Sequence, residues 1–251
     1  MTKQRLDIEL QRRGMVETRS QAENRIRLGH VSVDGQVITK PGFFVRVDSH
    51  ITLKVQQQYV SRAGLKLASV ADALQLDFTD TVVLDVGSST GGFTDYALQH
   101  GARRVIAVDV GTDQLHPSLR ADKRIDLYEK TDIRDVWPSG TGHRDGGVYI
   151  DSSPDIVVID VSFISLRHIL SHISLLLGPH SVIVAMVKPQ FEAGRSQMNK
   201  GVIKNDTVRR EILRAFESWA KQSFVIVAKS DSDVAGRHGN RERFYLLRST
   251  G

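Results

Sequence analysis

Apolar and polar positions follow two regimes along the chain. In the first, short segments of different period succeed one another. Arg5 to Arg13 carries Leu6 and Leu10 four apart, the spacing of a short amphipathic helix, and Gly14 stops it. Thr18 followed by Gln21 fits a capping box that opens a second helix, ended by Gly29. Strand-like runs come next at His30 to Val33, Gln36 to Ile38 and Ile51 to Val55. Asp34-Gly35 between the first two predicts a hairpin. Together these make a small α+β module.

Gln56 to Gln58 is polar and reads as a linker, and a helix is expected from Ser61 to about Leu76. The pattern then changes to buried strands alternating with helices. Strands are expected at Val82 to Val86, Arg104 to Asp109, Ile125 to Glu129, Ile156 to Asp160, Ser181 to Val187, Phe224 to Lys229 and Phe244 to Arg248. Several of these runs do not alternate, as a parallel sheet covered on both faces requires. Helices fit at Ser165 to Leu177 and Asp206 to Lys221. This predicts an α/β doubly wound domain, with the last two strands antiparallel because only a loop joins them. Pro138 to Pro154 is rich in Gly, Ser and Asp and reads as a flexible loop.

Charge separates the two regimes. The net charge is +5, and residues 1 to 58 hold ten Lys/Arg against six Asp/Glu, which leaves +1 for the rest. A basic module beside a neutral domain suggests docking to a polyanion, most simply nucleic acid; the bland alternative is a solvated charged face. The chain has no cysteine, which excludes disulfides, thiolate zinc sites and a cysteine nucleophile. Its nine histidines show no metal-ligand spacing, so no metal is expected. The polar opening, Met1 to Arg13, does not resemble a signal peptide. The apolar stretch Ile164 to Leu177 is interrupted by Arg167, His168 and His172 and is too short to span a bilayer. A cytoplasmic location is expected.

A glycine-rich turn follows the first strand of the second regime: Asp85-Val86-Gly87-Ser88-Ser89-Thr90-Gly91-Gly92-Phe93. Such a turn brings backbone close to a ligand at the carboxyl edge of the sheet. The second glycine of a dinucleotide fingerprint would fall on Ser89, which disfavours a pyrophosphate cradle. Asp85 suits a ligand with a cationic amino group. Asp109 can accept from ribose hydroxyls, and Asp132 could reach an adenine amino group. These features favour S-adenosylmethionine over a nicotinamide or flavin cofactor, or over a purely structural turn.

Lys66, Asp160, Lys188 and Glu242 fall at expected sheet or helix edges. A ribose 2′-hydroxyl must lose a proton as it attacks a methyl group. A lysine can take that proton if burial or a second ammonium lowers its pKa. The other ammonium can stabilise the developing alkoxide, with the carboxylates holding both in place. Two unrelated surface salt bridges are the plain alternative.

The motifs resemble known families. Arg5-Leu6-Asp7, Arg12-Arg13-Gly14, Thr18 to Ala22, Gly29-His30-Val31, Val33-Asp34-Gly35 and Lys40-Pro41-Gly42 are similar to an S4 RNA-binding domain. Tyr59 to Leu67, Asp85 to Thr94, Asp109-Val110-Gly111, Asp160 to Ser165, Val187 to Glu192 and Gly239 to Glu242 resemble the TlyA family. Proteins of that family are often named haemolysins, and their catalytic domain is similar to FtsJ-type RNA 2′-O-methyltransferases. The resemblance implies a Rossmann-like class I methyltransferase sheet at 63–251, an S4-like α+β domain at 1–58 and an interdomain linker at 59–62.

It also implies 2′-O-methylation of cytidine in ribosomal RNA by a catalytic set of Lys66, Asp160, Lys188 and Glu242. S-adenosyl-L-methionine is expected on Asp85, Gly87, Ser88, Ser89, Thr90, Gly91, Gly92, Phe93, Asp109, Val110, Asp132 and Asp160. RNA is expected on Arg5, Arg12, Arg13, Arg19, Arg25, Lys40 and Arg62. Ala63-Gly64, Arg241 and Arg243 depart from the usual pattern, and Pro138 to Pro154 is longer than usual. The sequence runs little past its last strand, which resembles the shorter family subtype that modifies large-subunit RNA. The alternatives are a ribosome-assembly factor with weak or no catalysis and a membrane-active haemolysin.

Overall fold

The computed structural model describes residues 3–16, 18–53, 58–142, 144–193, 203, 205–236 and 239–250. Gln56, Gln57 and the end of the strand expected at Val55 lie outside them. The chain forms two compact units, Met1–Gln57 and Gln58–Gly251.

The first unit runs β1 (Lys3–Arg5), α1 (Leu6–Arg12), α2 (Arg19–Arg27), β2 (Val31–Val33), β3 (Gln36–Val37), β4 (Phe44–Arg46) and β5 (Ile51–Leu53). Leu6 and Leu10 are buried with Ala22, Ile26, Val31, Val33, Val45 and Ile51. Thr18 caps α2 through the expected capping box with Gln21. Asp34 and Gly35 both take positive φ (51° and 84°), as the tight turn between β2 and β3 demands. One element was not foreseen. β1 pairs antiparallel with β4, which makes a two-stranded ribbon of segments three residues long. Runs so short carry no readable period.

Two carboxylates, Asp7 and Glu9, are fully buried in this unit. Glu9 accepts from Arg12 Nε and Nη2 at 2.8 and 2.7 Å and from Arg13 Nε at 2.7 Å. Hydrogen bonds from Arg12 hold its carboxyl down to about 2, against the opposing effect of burial. Arg13 also donates to the carbonyls of Ser49 (3.0 Å) and Val47 (2.9 Å). It therefore ties α1 to the β4–β5 turn. Arg13→Ala is expected to destabilise the unit by about 2 kcal/mol in urea unfolding of the whole chain. Arg12→Ala removes a more exposed partner of the same carboxylate and should cost less.

The second unit follows as α3 (Arg62–Ala71), β6 (Val82–Val86), α4 (Gly92–Gln99), β7 (Arg104–Val108), α5 (Pro117–Arg120) and β8 (Ile125–Tyr128). Then come β9 (Val136–Pro138), β10 (Val148–Ile150), β11 (Ile156–Ile159), α6 (Arg167–Ile173) and β12 (Val182–Val187). α7 (Pro189–Glu192), α8 (Asp206–Ala220), β13 (Phe224–Asp231) and β14 (Arg243–Ser249) complete it. Seven strands form one sheet in the order β13-β14-β12-β11-β6-β7-β8. β14 runs antiparallel to β13, as expected, and also to β12, and the remaining pairs are parallel.

Successive strand residues point to opposite faces. Val83, Val105, Val158 and Val184 pack under α3 and α4. Leu84, Ile106, Val157 and Ile183 pack under α6 and α8. This is the Rossmann-like sheet that the sequence predicted. Two expectations change. α3 ends at Ala71, five residues early, in a turn where Gln75 takes φ 53°. Pro138 to Pro154 is not wholly loop, because β9 and β10 pair in parallel and Arg144 lies 3.3 Å over the Trp137 ring. The Gly and Ser content of the intervening turn masked those strands.

Candidate active site

Parallel strands β6, β7 and β11 all end at one edge of the sheet. A cleft of about 420 Å³ opens there, a size typical of small-molecule sites. It is lined by Gly87 and Ser89 after β6, Asp109 and Val110 after β7, Asp132 before a single 3₁₀ turn, and Asp160 after β11. Six expected cofactor residues therefore share one wall. Asp109 accepts from the Ser89 N–H at 2.8 Å and the Gly111 N–H at 2.6 Å, so it organises both loops. Asp132 caps its turn through the Arg134 N–H and pairs with the Arg134 guanidinium.

The rest of the expected turn lies elsewhere. Gly91 (φ 89°) packs on Leu115 and Leu119. A Cβ on Gly92 would stand 2.7 Å from Ala63 Cβ and 2.8 Å from Gly64 N, so Gly92 lets α3 and α4 approach. Phe93 is a core ring 6.0 Å from Phe244. Thr90 is exposed beside His116, whose N–H its carbonyl accepts. Ser88 is buried, with no partner for its Oγ among the described residues. Glycine spacing alone could not separate the residues that face the cleft from those that pack helices.

Asp85 is buried beneath the turn, 1% exposed. It accepts from Thr94 N at 2.9 Å and Thr94 Oγ1 at 2.6 Å through one oxygen, while the other has no partner. Burial, helped by nearby Asp160, pushes its carboxyl up to about 7. The unfolded carboxyl ionises near 4, whereas the folded one keeps its proton until about pH 7. The folded state therefore loses stability relative to the unfolded chain as pH rises from about 4 to 7. Urea unfolding of the parent and of Asp85→Asn should show a loss across that window in the parent only.

The four candidate catalytic residues form two ion pairs. Lys188 Nζ lies 2.6 Å from Asp160 Oδ1, out of hydrogen-bond alignment, and donates an aligned bond to Ser162 Oγ at 2.7 Å. Lys66 Nζ lies 2.7 Å from Glu242 Oε2 in a similarly unaligned contact. Sheet topology links the pairs. Val187 is opposite Arg243 in the β12–β14 ladder, so Lys188 and Glu242 emerge side by side at the same edge. Asp160 belongs both to this set and to the cleft.

Neighbouring groups fix these positions. Arg243 makes a two-pronged bond to Asp231, which also holds Arg209; Arg209 in turn donates to the Arg241 carbonyl. The segment carrying Glu242 is thereby pinned. Glu192 accepts from Ser165 Oγ (2.6 Å) and Leu166 N (2.7 Å) and anchors the loop after Asp160. Sequence reasoning missed Ser162, Gln114 and Phe163. Gln114 lines the cleft and accepts from Ser89 Oγ. Phe163 sits at the cleft with φ 66° and is 93% exposed, 5.2 Å from the Phe191 ring. An exposed aromatic in left-handed backbone is the kind of signal only coordinates reveal.

The expected RNA-binding cations divide. Arg5 and Arg19 pair with buried Asp7, and Arg12 and Arg13 with Glu9. Burial alone would raise the Asp7 carboxyl, but the two guanidinium groups hold it at about 2. Arg13 is wholly engaged within the unit. Arg25 and Lys40 are in no ion pair among the described residues. Arg62 opens α3 in the second unit and donates to the Ala235 carbonyl. Tyr59 and Ser61, in the expected linker, serve that unit as a core ring and as the cap of α3. Among the described residues no group of His, Cys, Asp or Glu is arranged to hold a metal. No helix among them is long and apolar enough to cross a membrane.

A seven-stranded sheet with a cleft at its carboxyl edge and a charged set beside it suits a methyltransferase, and the family match assigns that class. Residues 59–249 match the FtsJ-like methyltransferase model and residues 4–51 the S4 domain model; the chain belongs to the FtsJ-like methyltransferase family. A Bacillus subtilis relative, YqxC, provisionally named an rRNA methyltransferase, is 40% identical over 96% of this chain and 84% of its own. The 16S/23S rRNA (cytidine-2′-O)-methyltransferase TlyA of Mycobacterium tuberculosis is 35% identical over 98% of this chain and 90% of its own. A solved chain from Streptococcus thermophilus, provisionally named a hemolysin, superposes with a TM-score of 0.73 at 37% identity, covering 100% of this chain and 90% of that one.

Proposed function

We propose that this methyltransferase transfers a methyl group from S-adenosylmethionine to a cytidine 2′-hydroxyl of ribosomal RNA. The observation that carries the reading is the doubled lysine–carboxylate arrangement at one sheet edge, with Asp160 shared between it and the cleft. The cleft fits the cofactor. Asp109 offers carboxylate oxygens for ribose hydroxyls, and Gly87 leaves space that a Cβ would fill, 2.8 Å from the Asp160 carbonyl. Asp132 and Val110 would flank the adenine, and Gln114 would add a donor beside the ribose. When bound there, S-adenosylmethionine supplies an electrophilic methyl group.

The chain's own residues do the rest. Lys188, oriented by Asp160 and Ser162, meets the 2′-hydroxyl and, in its neutral amine form, takes the hydroxyl proton as the oxygen–carbon bond forms and the methyl–sulfur bond of the cofactor breaks. Lys66, fixed by Glu242, provides positive charge for the oxygen as it loses that proton. Phe163 presents a ring on which the target base can stack. The S4 unit docks the RNA through its cations, and a ribosomal substrate implies a cytoplasmic site of action. The test is incubation with labelled S-adenosylmethionine and ribosomal subunits that lack the modification. Label in the RNA is expected. A preparation that binds the cofactor but transfers nothing to either subunit would contradict the reading.

A further inference from the structure

The β1–β4 ribbon offers a surface beyond the arginines of α1 and α2. Its register places Lys3 opposite Arg46, Gln4 opposite Val45, and Arg5 opposite Phe44. Directly opposed residues of an antiparallel pair project to the same side. Val45 is buried in the core of the unit, so the Gln4–Val45 pair faces inward. Lys3, Arg46, Arg5 and Phe44 consequently share the outer face.

Phe44 is 61% exposed on that face. Its neighbours there are cations with unspent capacity. The Arg46 side chain is 56% exposed and, among the described residues, forms an ion pair only with the exposed Asp48, at 3.6 Å. Arg5 keeps 40% of its side chain exposed after binding Asp7. An apolar protein partner seated on Phe44 would have to desolvate these cations. A nucleic acid would not, because phosphates take up the cations while a base stacks on the ring. In a regular RNA duplex the bases are already stacked and its deep groove excludes side chains, so the ring suits an unpaired nucleotide.

We infer that the outer face of this ribbon docks an unpaired RNA segment, with Phe44 stacking on a base while Lys3, Arg5 and Arg46 meet the adjoining phosphates. This rests on the reading of the substrate as RNA and narrows it to a loop or bulge. No sequence period pointed here, since both strands are three residues long.

The experiment uses the full chain with two labelled probes of equal length, a single-stranded oligoribonucleotide and a fully paired RNA duplex. Phe44→Ala should weaken single-strand binding about tenfold at fixed salt, with duplex binding, cofactor affinity and thermal unfolding as in the parent. Phe44→Trp should retain the affinity, and its added fluorescence should be quenched by the single strand. Replacing Lys3 and Arg46 together by alanine should reduce the salt dependence of binding by about two phosphate contacts. Unchanged single-strand affinity in Phe44→Ala, or an equal loss for both probes, overturns the inference. So does a loss seen only with intact ribosomal subunits, which would place a protein on the ring. If the binding pattern holds but no methyl transfer occurs, the docking surface stands and the transferase reading falls.

Discussion

Lys188→Ala is expected to lower the methyl-transfer rate constant about a thousandfold while cofactor affinity stays within about threefold of the parent. The side chain combines a 2.6 Å contact with Asp160 and a 2.7 Å bond to Ser162. It does not line the cleft, which is bounded by Asp160, Asp109 and the loops around them. Removing it takes away the group proposed to meet the hydroxyl and leaves the residues that line the cleft in place. Single-turnover transfer and calorimetric titration with S-adenosylmethionine separate the two effects. A variant that keeps more than about a tenth of the parent rate would remove Lys188 from the role assigned here.

The second large effect is expected at Gly87. The residue has φ 81°, and a Cβ would stand 2.8 Å from the Asp160 carbonyl and 3.2 Å from Val161 Cγ1. Backbone cannot retreat as a flexible side chain can. Gly87→Ala should therefore displace the loop carrying Asp160 and intrude on the cleft. Cofactor affinity should fall about a hundredfold, with a stability loss of about 1–3 kcal/mol. Gly140 is the matched control: it has φ 88°, but nothing lies within 4 Å of its Cβ position. Gly140→Ala should show only the backbone strain, a loss near 1 kcal/mol, and bind the cofactor normally. Equal cofactor loss in both variants would show that φ strain, and not crowding against Asp160, governs the site.

The sheet was legible because its strands are long enough to display burial. The runs at β6 and β12 have no alternation and sit in the centre of the fold. The edge positions of Asp160, Lys188 and Glu242 followed from the ends of β11, β12 and β14, and the β12–β14 ladder explains why the latter two adjoin. Pairing was not legible, since no local pattern states that Lys66 takes Glu242 and Lys188 takes Asp160. The glycine turn was readable as a turn, but Gly91 and Gly92 serve helix packing while Gly87 faces the ligand cleft. In the first unit, charge counting located the arginines without revealing that Asp7 and Glu9 are buried among them. The ribbon bearing Phe44 escaped because it is formed by partners far apart in sequence.

The most direct test of the central claim is the chemical position of the transferred methyl group. Ribosomal RNA lacking the modification is incubated with the protein and labelled S-adenosylmethionine, then hydrolysed with alkali. A 2′-O-methyl ribose blocks cleavage at its own phosphodiester, so the label should appear in alkali-resistant dinucleotides whose 5′ residue is cytidine. Label released in mononucleotides would place the methyl group on a base and contradict the account of the two lysine–carboxylate pairs.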